Sequence, residues 1–278
     1  MSGIQKKYIL SDDGQRIYYE TCIVNEAAPV AVLVHGIGGD VDGWVFVRDL
    51  LNKAGISTLT LDMRGHGYSA HPRASKDYKL DLLLKDILHV IDAEHLRKVI
   101  LVGHSGGAVL ALNFALTYPE RLAALVLLAG SHLPPAYARS RAMKYISSAV
   151  ISIGSMISPP HLGPWHSTYP KGKHHKEYEP YGLARTIVRN SLRSYLLVGR
   201  ELMNSHLEDR LGELAVPTLL VAGENDSIYP SAVSKKMHEK IPDSRLEIVP
   251  GANHVLILNN VDETAGHIID FVREIGSL

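Results

Sequence analysis

The chain is short of three things, and each shortage removes a class of protein. It holds a single cysteine, Cys22, among 278 residues. An intramolecular disulfide framework and a cysteine-based metal finger are therefore excluded, and a reducing compartment is expected. Net charge is also missing, because 29 Lys and Arg face 29 Asp and Glu. No dense basic stripe breaks that balance, so neither nucleic acid nor an anionic membrane surface is an expected partner. Long apolar runs are absent too. The N-terminal MSGIQKKYIL has no apolar stretch of a secretory signal, and the longest candidate span, Tyr145 to Ile157, is short and broken by serines and Gly154. A soluble, cytoplasmic protein without a transmembrane segment is expected.

Apolar residues make up 46% of the chain, enough for a sizeable core. At about 150 residues per domain the length allows one large domain or a core with an insertion. Fifteen histidines are many, and they belong either to chemistry or to surface.

Two β-rich runs, KYIL and RIYYETCIV, flank Ser11-Asp12-Asp13-Gly14, whose Asp-Gly is a hairpin signal. Pro29 to Val34 is a continuous β-branched run of the kind buried on both faces of a sheet, and it ends in His35-Gly36-Ile37-Gly38-Gly39. A helical pattern over Trp44 to Ala54, a strand over Ser57 to Asp62, and a helix over Tyr78 to His95 follow. The strand Val99 to Val102, the small-residue helix Ser105 to Tyr118 and the strand Leu122 to Leu128 continue the alternation. That rhythm argues for a mostly parallel sheet covered on both faces. From about His132 to Arg210 it fails: prolines come in pairs, Trp165 to Tyr181 is rich in His, Lys and Tyr, and no strand pattern appears. The segment reads as an inserted helical cap. The rhythm returns with Val216 to Gly223, Ser231 to Lys240, Arg245 to Val249 and a last helix from Val261 to Glu274.

The most specific signal is Gly103-His104-Ser105-Gly106-Gly107, a G-x-S-x-G between an apolar strand and a helix. A serine on such a sharp turn occupies a strained conformation, and the neighbouring glycines relieve the clashes. A nucleophilic serine needs a base, and the base needs an orienting acid. The loops after the last two strands offer Gly223-Glu224-Asn225-Asp226 and Gly251-Ala252-Asn253-His254, which gives the chain order Ser105, Asp226, His254. His254 is chosen for its place, since any single histidine is cheap here. Asp226 is preferred to Glu224 on its G-x-x-D spacing. The oxyanion of a tetrahedral intermediate needs two donors, expected from the N–H of Gly106 and the N–H of Ile37 in the H-G-I-G-G loop. A dinucleotide-type phosphate cradle is disfavoured, because Gly36 to Asp40 does not continue into G-x-G-x-x-G.

With VLVHGIGGD, LDMRGHGYSA, LVGHSGGAVLAL, VAGENDSIYP and PGANHV spread over nearly its whole length, the chain resembles the α/β-hydrolases, of the cap-bearing esterase and lipase-like kind. The resemblance implies an eight-stranded, mostly parallel sheet flanked by helices, with residues 1–131 and 211–278 as core and 132–210 as the cap. It implies that Asp62 and Arg64 are structural, and that His66 and His104 are scaffold neighbours. Haloalkane dehalogenases and epoxide hydrolases of this fold carry Asp where Ser105 stands, which speaks against both.

The implied activity is hydrolysis of carboxylic esters with small to medium acyl chains through an acyl-enzyme, with no cofactor and no metal. A lactonase, thioesterase, amidase, carbon–carbon hydrolase or perhydrolase would share these residues, and a non-catalytic ligand-binding receptor would keep the pocket. Met143, Ile146, Ile151, Ile153, Met156 and Ile157 either line the acyl pocket or pack the cap onto the core. Trp44 either lines the pocket or plugs the core, and Val255 is a further pocket candidate. His161, His166, His174 and His175 stand among Lys171, Lys173 and Lys176, which repel a cation and suggest a solvated loop. A monomer or homodimer is expected.

Overall fold

The computed structural model describes residues 3–133 and 191–276, together with 149, 153–155, 158, 168–169 and 175–177. Eight strands form one sheet: β1 (Gln5–Leu10), β2 (Arg16–Cys22), β3 (Val30–Val34), β4 (Thr58–Leu61), β5 (Val99–His104), β6 (Leu122–Leu128), β7 (Thr218–Gly223) and β8 (Ser244–Val249). Their spatial order is β1-β2-β4-β3-β5-β6-β7-β8. β1 and β2 form the hairpin, turned at Gly14 with φ +75°, and β2 joins β4 antiparallel. The other pairings are parallel.

The helices whose bounds lie among the described residues are α1 (Val45–Lys53), α2 (Leu80–Ala93), α3 (Gly106–Thr117), α4 (Leu192–Met203), α5 (Ser231–Lys240), the short α6 (Leu256–Asn259) and α7 (Val261–Gly276). None of the described helices is long and apolar enough to cross a membrane.

Two cores lie on opposite faces of the sheet, as the two-residue alternation of a strand requires. In β3, Val30, Val32 and Val34 join the cluster beneath α2, α3 and α4, whereas Ala31 and Leu33 join the one beneath α1 and α7. Such strands need apolar residues at every position, which is why they read as unbroken runs. Helix α3 is buried at every residue from Gly106 to Ala115, the condition for a helix apolar all round. Helix α4 falls within the segment read as cap, yet its Leu197, Val198 and Leu202 join the main core cluster. Ile153, expected to supply apolar surface, is 61% exposed.

The chain runs from β3 to β4 on one side and returns through α2 to β5 on the other. The loops after β3 and β5 therefore diverge over a crevice at the carboxyl ends of neighbouring strands, where ligand sites of open α/β sheets form.

Candidate active site

Ser105 stands at that crevice, between β5 and α3, with φ +54° and ψ −118°. This is a costly region for a residue with a Cβ, and the surroundings fix it there. The Ser105 N–H donates to Leu128 O at 2.9 Å, and its carbonyl accepts from Ala108 N–H at 3.0 Å. The turn closes only because side chains are missing around it. A Cβ on Gly103 would lie 2.3 Å from Gly107 O, and one on Gly107 would lie 2.3 Å from Val34 O.

The loop after β8 crosses the end of β7 to reach Ser105. Gly223 makes room for it, since a Cβ there would meet Ala252 O at 2.6 Å and Asn253 O at 2.7 Å. His254 arrives with Nε2 2.7 Å from Ser105 Oγ and Nδ1 2.8 Å from Asp226 Oδ2. Asp226, 4% exposed, accepts from the Ile228 and Tyr229 N–H groups at 2.9 and 2.8 Å through Oδ1, which leaves Oδ2 for the imidazole. Glu224, the rival acid, is exposed and accepts from Gly251 N–H at 2.8 Å. The network assigns the Nδ1–H tautomer to His254, with Nε2 as acceptor from the Ser105 hydroxyl.

Ile37 lies beside α3. A Cβ on Gly106 would be 3.3 Å from the Ile37 amide nitrogen, and one on Gly36 would be 3.1 Å from Ser105 Cβ. The backbones of Ile37 and Gly106 thus run side by side next to the serine.

Three further histidines brace this arrangement. His35 Nε2 accepts from Met63 N–H at 3.0 Å, and His66 Nε2 accepts from Gly38 N–H at 3.0 Å. His104 Nε2–H donates to His254 O at 2.9 Å. Burial, reinforced by a neighbouring imidazole, pushes His66 and His104 down to about 3, so both are neutral at physiological pH. Arg64 lies in a fork to Asp86, with Nε–Oδ2 and Nη2–Oδ1 both 2.8 Å, and also pairs with Asp13. Asp62 accepts from Val41 and Tyr68 N–H groups, both at 2.8 Å.

Sequence reasoning missed one contributor. Glu177 reaches in from the His/Lys-rich segment, and its Oε1 accepts from His254 N–H at 2.6 Å. The pocket candidates fare differently. Of the two readings of Trp44, its surroundings match the core one: it is 0% exposed and belongs to the cluster with Leu33, Val47 and Leu256. Val255 is half-buried beside His254. Met143, Ile146, Ile151, Met156, Ile157, His161, His166 and His174 lie outside the described residues. His175 is tied to the site through its backbone, which accepts from Asn253 Nδ2 at 3.1 Å.

Comparison with known proteins agrees with this fold and does not single out a substrate. The profile of the family described as serine aminopeptidase, S33, matches residues 25–261. A Bacillus subtilis protein provisionally named 2-succinyl-6-hydroxy-2,4-cyclohexadiene-1-carboxylate synthase is 29% identical over 259 residues, covering 90% of this chain and 89% of its own. A proline iminopeptidase of Saccharolobus solfataricus is 27% identical over 95% of this chain and 91% of its own. Among solved structures, a thermophilic esterase of Thermogutta terrifontis superposes with a TM-score of 0.78 at 20% identity, over 98% of this chain and 99% of that one. At that identity the likeness carries the fold alone. With the profile match spanning most of its length, the chain belongs to the serine aminopeptidase S33 family of hydrolases, within the α/β-hydrolase superfamily.

Proposed function

We propose that this hydrolase cleaves carboxylic esters of small to medium acyl chains through an acyl-enzyme on Ser105. The observation that carries the reading is the hydrogen-bond chain Ser105–His254–Asp226, at 2.7 and 2.8 Å, hung on a serine with φ +54°. A serine, an imidazole and a buried carboxylate in this order make up the apparatus of acyl transfer.

In the first half-reaction His254 Nε2 takes the Ser105 hydroxyl proton as Oγ attacks the ester carbonyl carbon. The oxyanion is held by the Ile37 and Gly106 N–H groups, a contribution of about 3–4 kcal/mol per donor. Collapse breaks the bond to the alkoxide, which leaves with the proton from His254. In the second half-reaction His254 deprotonates water, the hydroxide attacks the acyl carbon, and Ser105 recovers the proton as the acid departs. Asp226 holds the tautomer and stabilises the imidazolium throughout. No step calls for a cofactor or metal.

Residues 132–210 serve in this reading as a cap anchored through α4, with Met143, Met156 and Val255 as the proposed substrate-binding residues. The lone Cys22 supports a cytoplasmic setting, and a small ester is the partner of a monomer or homodimer.

The test is turnover of a p-nitrophenyl ester series of increasing acyl length, beside lactones and amino-acid anilides. The expected result is fastest turnover of short and medium esters, lost in Ser105→Ala. Faster turnover of the anilides would replace the ester reading with the peptidase one that the family description favours.

A further inference from the structure

We infer that Glu177 is a positioning residue for the reaction proposed above, tying the loop that carries His254 to the loop that carries Asp226. The inference rests on that reading of Ser105, Asp226 and His254, and it adds a group that no spacing in the sequence announces.

One carboxylate spans both loops. Glu177 Oε1 accepts from the His254 N–H at 2.6 Å and from the Ser227 N–H at 3.3 Å, while Oε2 accepts from the Ser227 hydroxyl. His254 is thereby held at four points: Nδ1 by Asp226, Nε2 by Ser105, its carbonyl by His104 and its amide by Glu177. Ser227 directly follows Asp226, so the same carboxylate sets the spacing between the acid and the base.

Glu177 is itself fixed two residues away. The His175 N–H donates to Asn259 Oδ1 at 2.8 Å, and its carbonyl accepts from Asn259 Nδ2 at 2.8 Å and Asn253 Nδ2 at 3.1 Å. Asn253 Oδ1 in turn accepts from Val255 N–H at 3.0 Å. Two side-chain amides therefore lace residues 175–177 to the loop on either side of His254. Burial opposes the charge on Glu177, but the hydrogen bonds from Ser227 and His254 outweigh it and hold the carboxyl below its ordinary range. A charged acceptor so placed restrains a backbone on which the Ser105–His254 distance depends. Displacements of about 1 Å at such a site cost about a hundred-fold in rate.

The experiment compares Glu177→Ala and Glu177→Gln with the parent chain in ester kinetics, thermal unfolding and the rate of Ser105 labelling by a fluorophosphonate. Glutamine keeps an acceptor for the His254 N–H and can donate to the Ser227 hydroxyl. The alanine variant is expected to lose kcat about ten-fold, the range of one charge-assisted hydrogen bond, with KM unchanged and labelling slowed equally. Its thermal midpoint should stay within about 2 °C, and glutamine should return kcat to within about three-fold.

Unchanged kcat and labelling in the alanine variant would overturn the inference. So would a loss that tracks a lowered midpoint and a raised KM, or a glutamine variant as slow as alanine. If the parent chain labels at Ser105 but turns over no ester, the ester reading fails alone, and the labelling rates still judge Glu177.

Discussion

His66 Nε2 accepts the Gly38 N–H at 3.0 Å, and this bond ties the D-M-R-G-H-G loop after β4 to the glycine loop after β3. Gly38 has φ +82°, a conformation that glycine adopts without the Cβ penalty of other residues. The bond fixes the stretch that presents the Ile37 amide. His66→Ala removes the acceptor and leaves the donor buried. Because the oxyanion donor proposed at Ile37 would act chiefly in the transition state, kcat should fall about ten-fold with little change in KM. Steady-state kinetics on a p-nitrophenyl ester decide it, and a parental kcat would show that the loop holds its shape without His66.

The two acids of the loop after β7 should separate cleanly. Asp226→Asn keeps the packing but offers the imidazole an amide, which stabilises the wrong tautomer, and kcat should drop by about three to four orders of magnitude. Glu224→Gln disturbs only an exposed contact to the Gly251 N–H and should stay within about two-fold of the parent. The reverse outcome would transfer the role of the acid to Glu224.

What was legible in the sequence was whatever the backbone dictates locally. Val30 to Val34 reads as a doubly buried strand because both faces demand apolar side chains, and Gly103 and Gly107 read as an elbow because atoms at 2.3 Å leave no room for a Cβ. The positions of Asp226 and His254 beside Ser105 were legible because each follows a recognisable strand. Glu177 was not: its partners are a hydroxyl and two backbone amides, which nearly every residue possesses, 50 and 77 positions away. Trp44 was ambiguous for a related reason. Proximity to the H-G-I-G-G loop in sequence does not say which side of the sheet an indole enters, and here it enters the core.

Two glycine-to-alanine exchanges should change stability in opposite directions. At Gly107 the new Cβ meets Val34 O at 2.3 Å and His35 O at 2.5 Å, and backbone of a central strand cannot yield. Gly107→Ala should cost about 3 kcal/mol, the upper range of overpacking. Gly266 lies inside α7 with nothing within 4 Å of an added methyl group, so Gly266→Ala should add about 0.5–1 kcal/mol through helix propensity. Urea unfolding of both variants measures the difference, and a destabilised Gly266→Ala would mean that the helix requires the missing side chain.

Acid should weaken the fold before its carboxylates protonate, and the cause lies in the buried imidazoles. His66 and His104 are pushed down to about 3 by burial, against about 6.5 in an unfolded chain. Well above pH 6.5 both states are neutral and the two groups contribute no slope. As pH falls from 6.5 toward 3 the unfolded chain takes up protons that the folded chain refuses, so stability is lost by about 1.4 kcal/mol per pH unit for each imidazole. Asp13 and Glu177 add nothing above about pH 5, since their lowered carboxyls are ionised there in both states. Asp86, raised by burial, takes up protons in the folded chain and works in the opposite direction, so the difference between parent and variant is the quantity to read. His66→Gln places an amide oxygen near the Nε2 position, so it keeps an acceptor for the Gly38 N–H and removes the titration. Between pH 6.5 and 5 its unfolding free energy should therefore depend on pH less steeply than the parent's by about 1.1 kcal/mol per unit on average. Equal slopes would mean that His66 takes up its proton in the folded chain as readily as in the unfolded one, and that the loop after β3 is open to water.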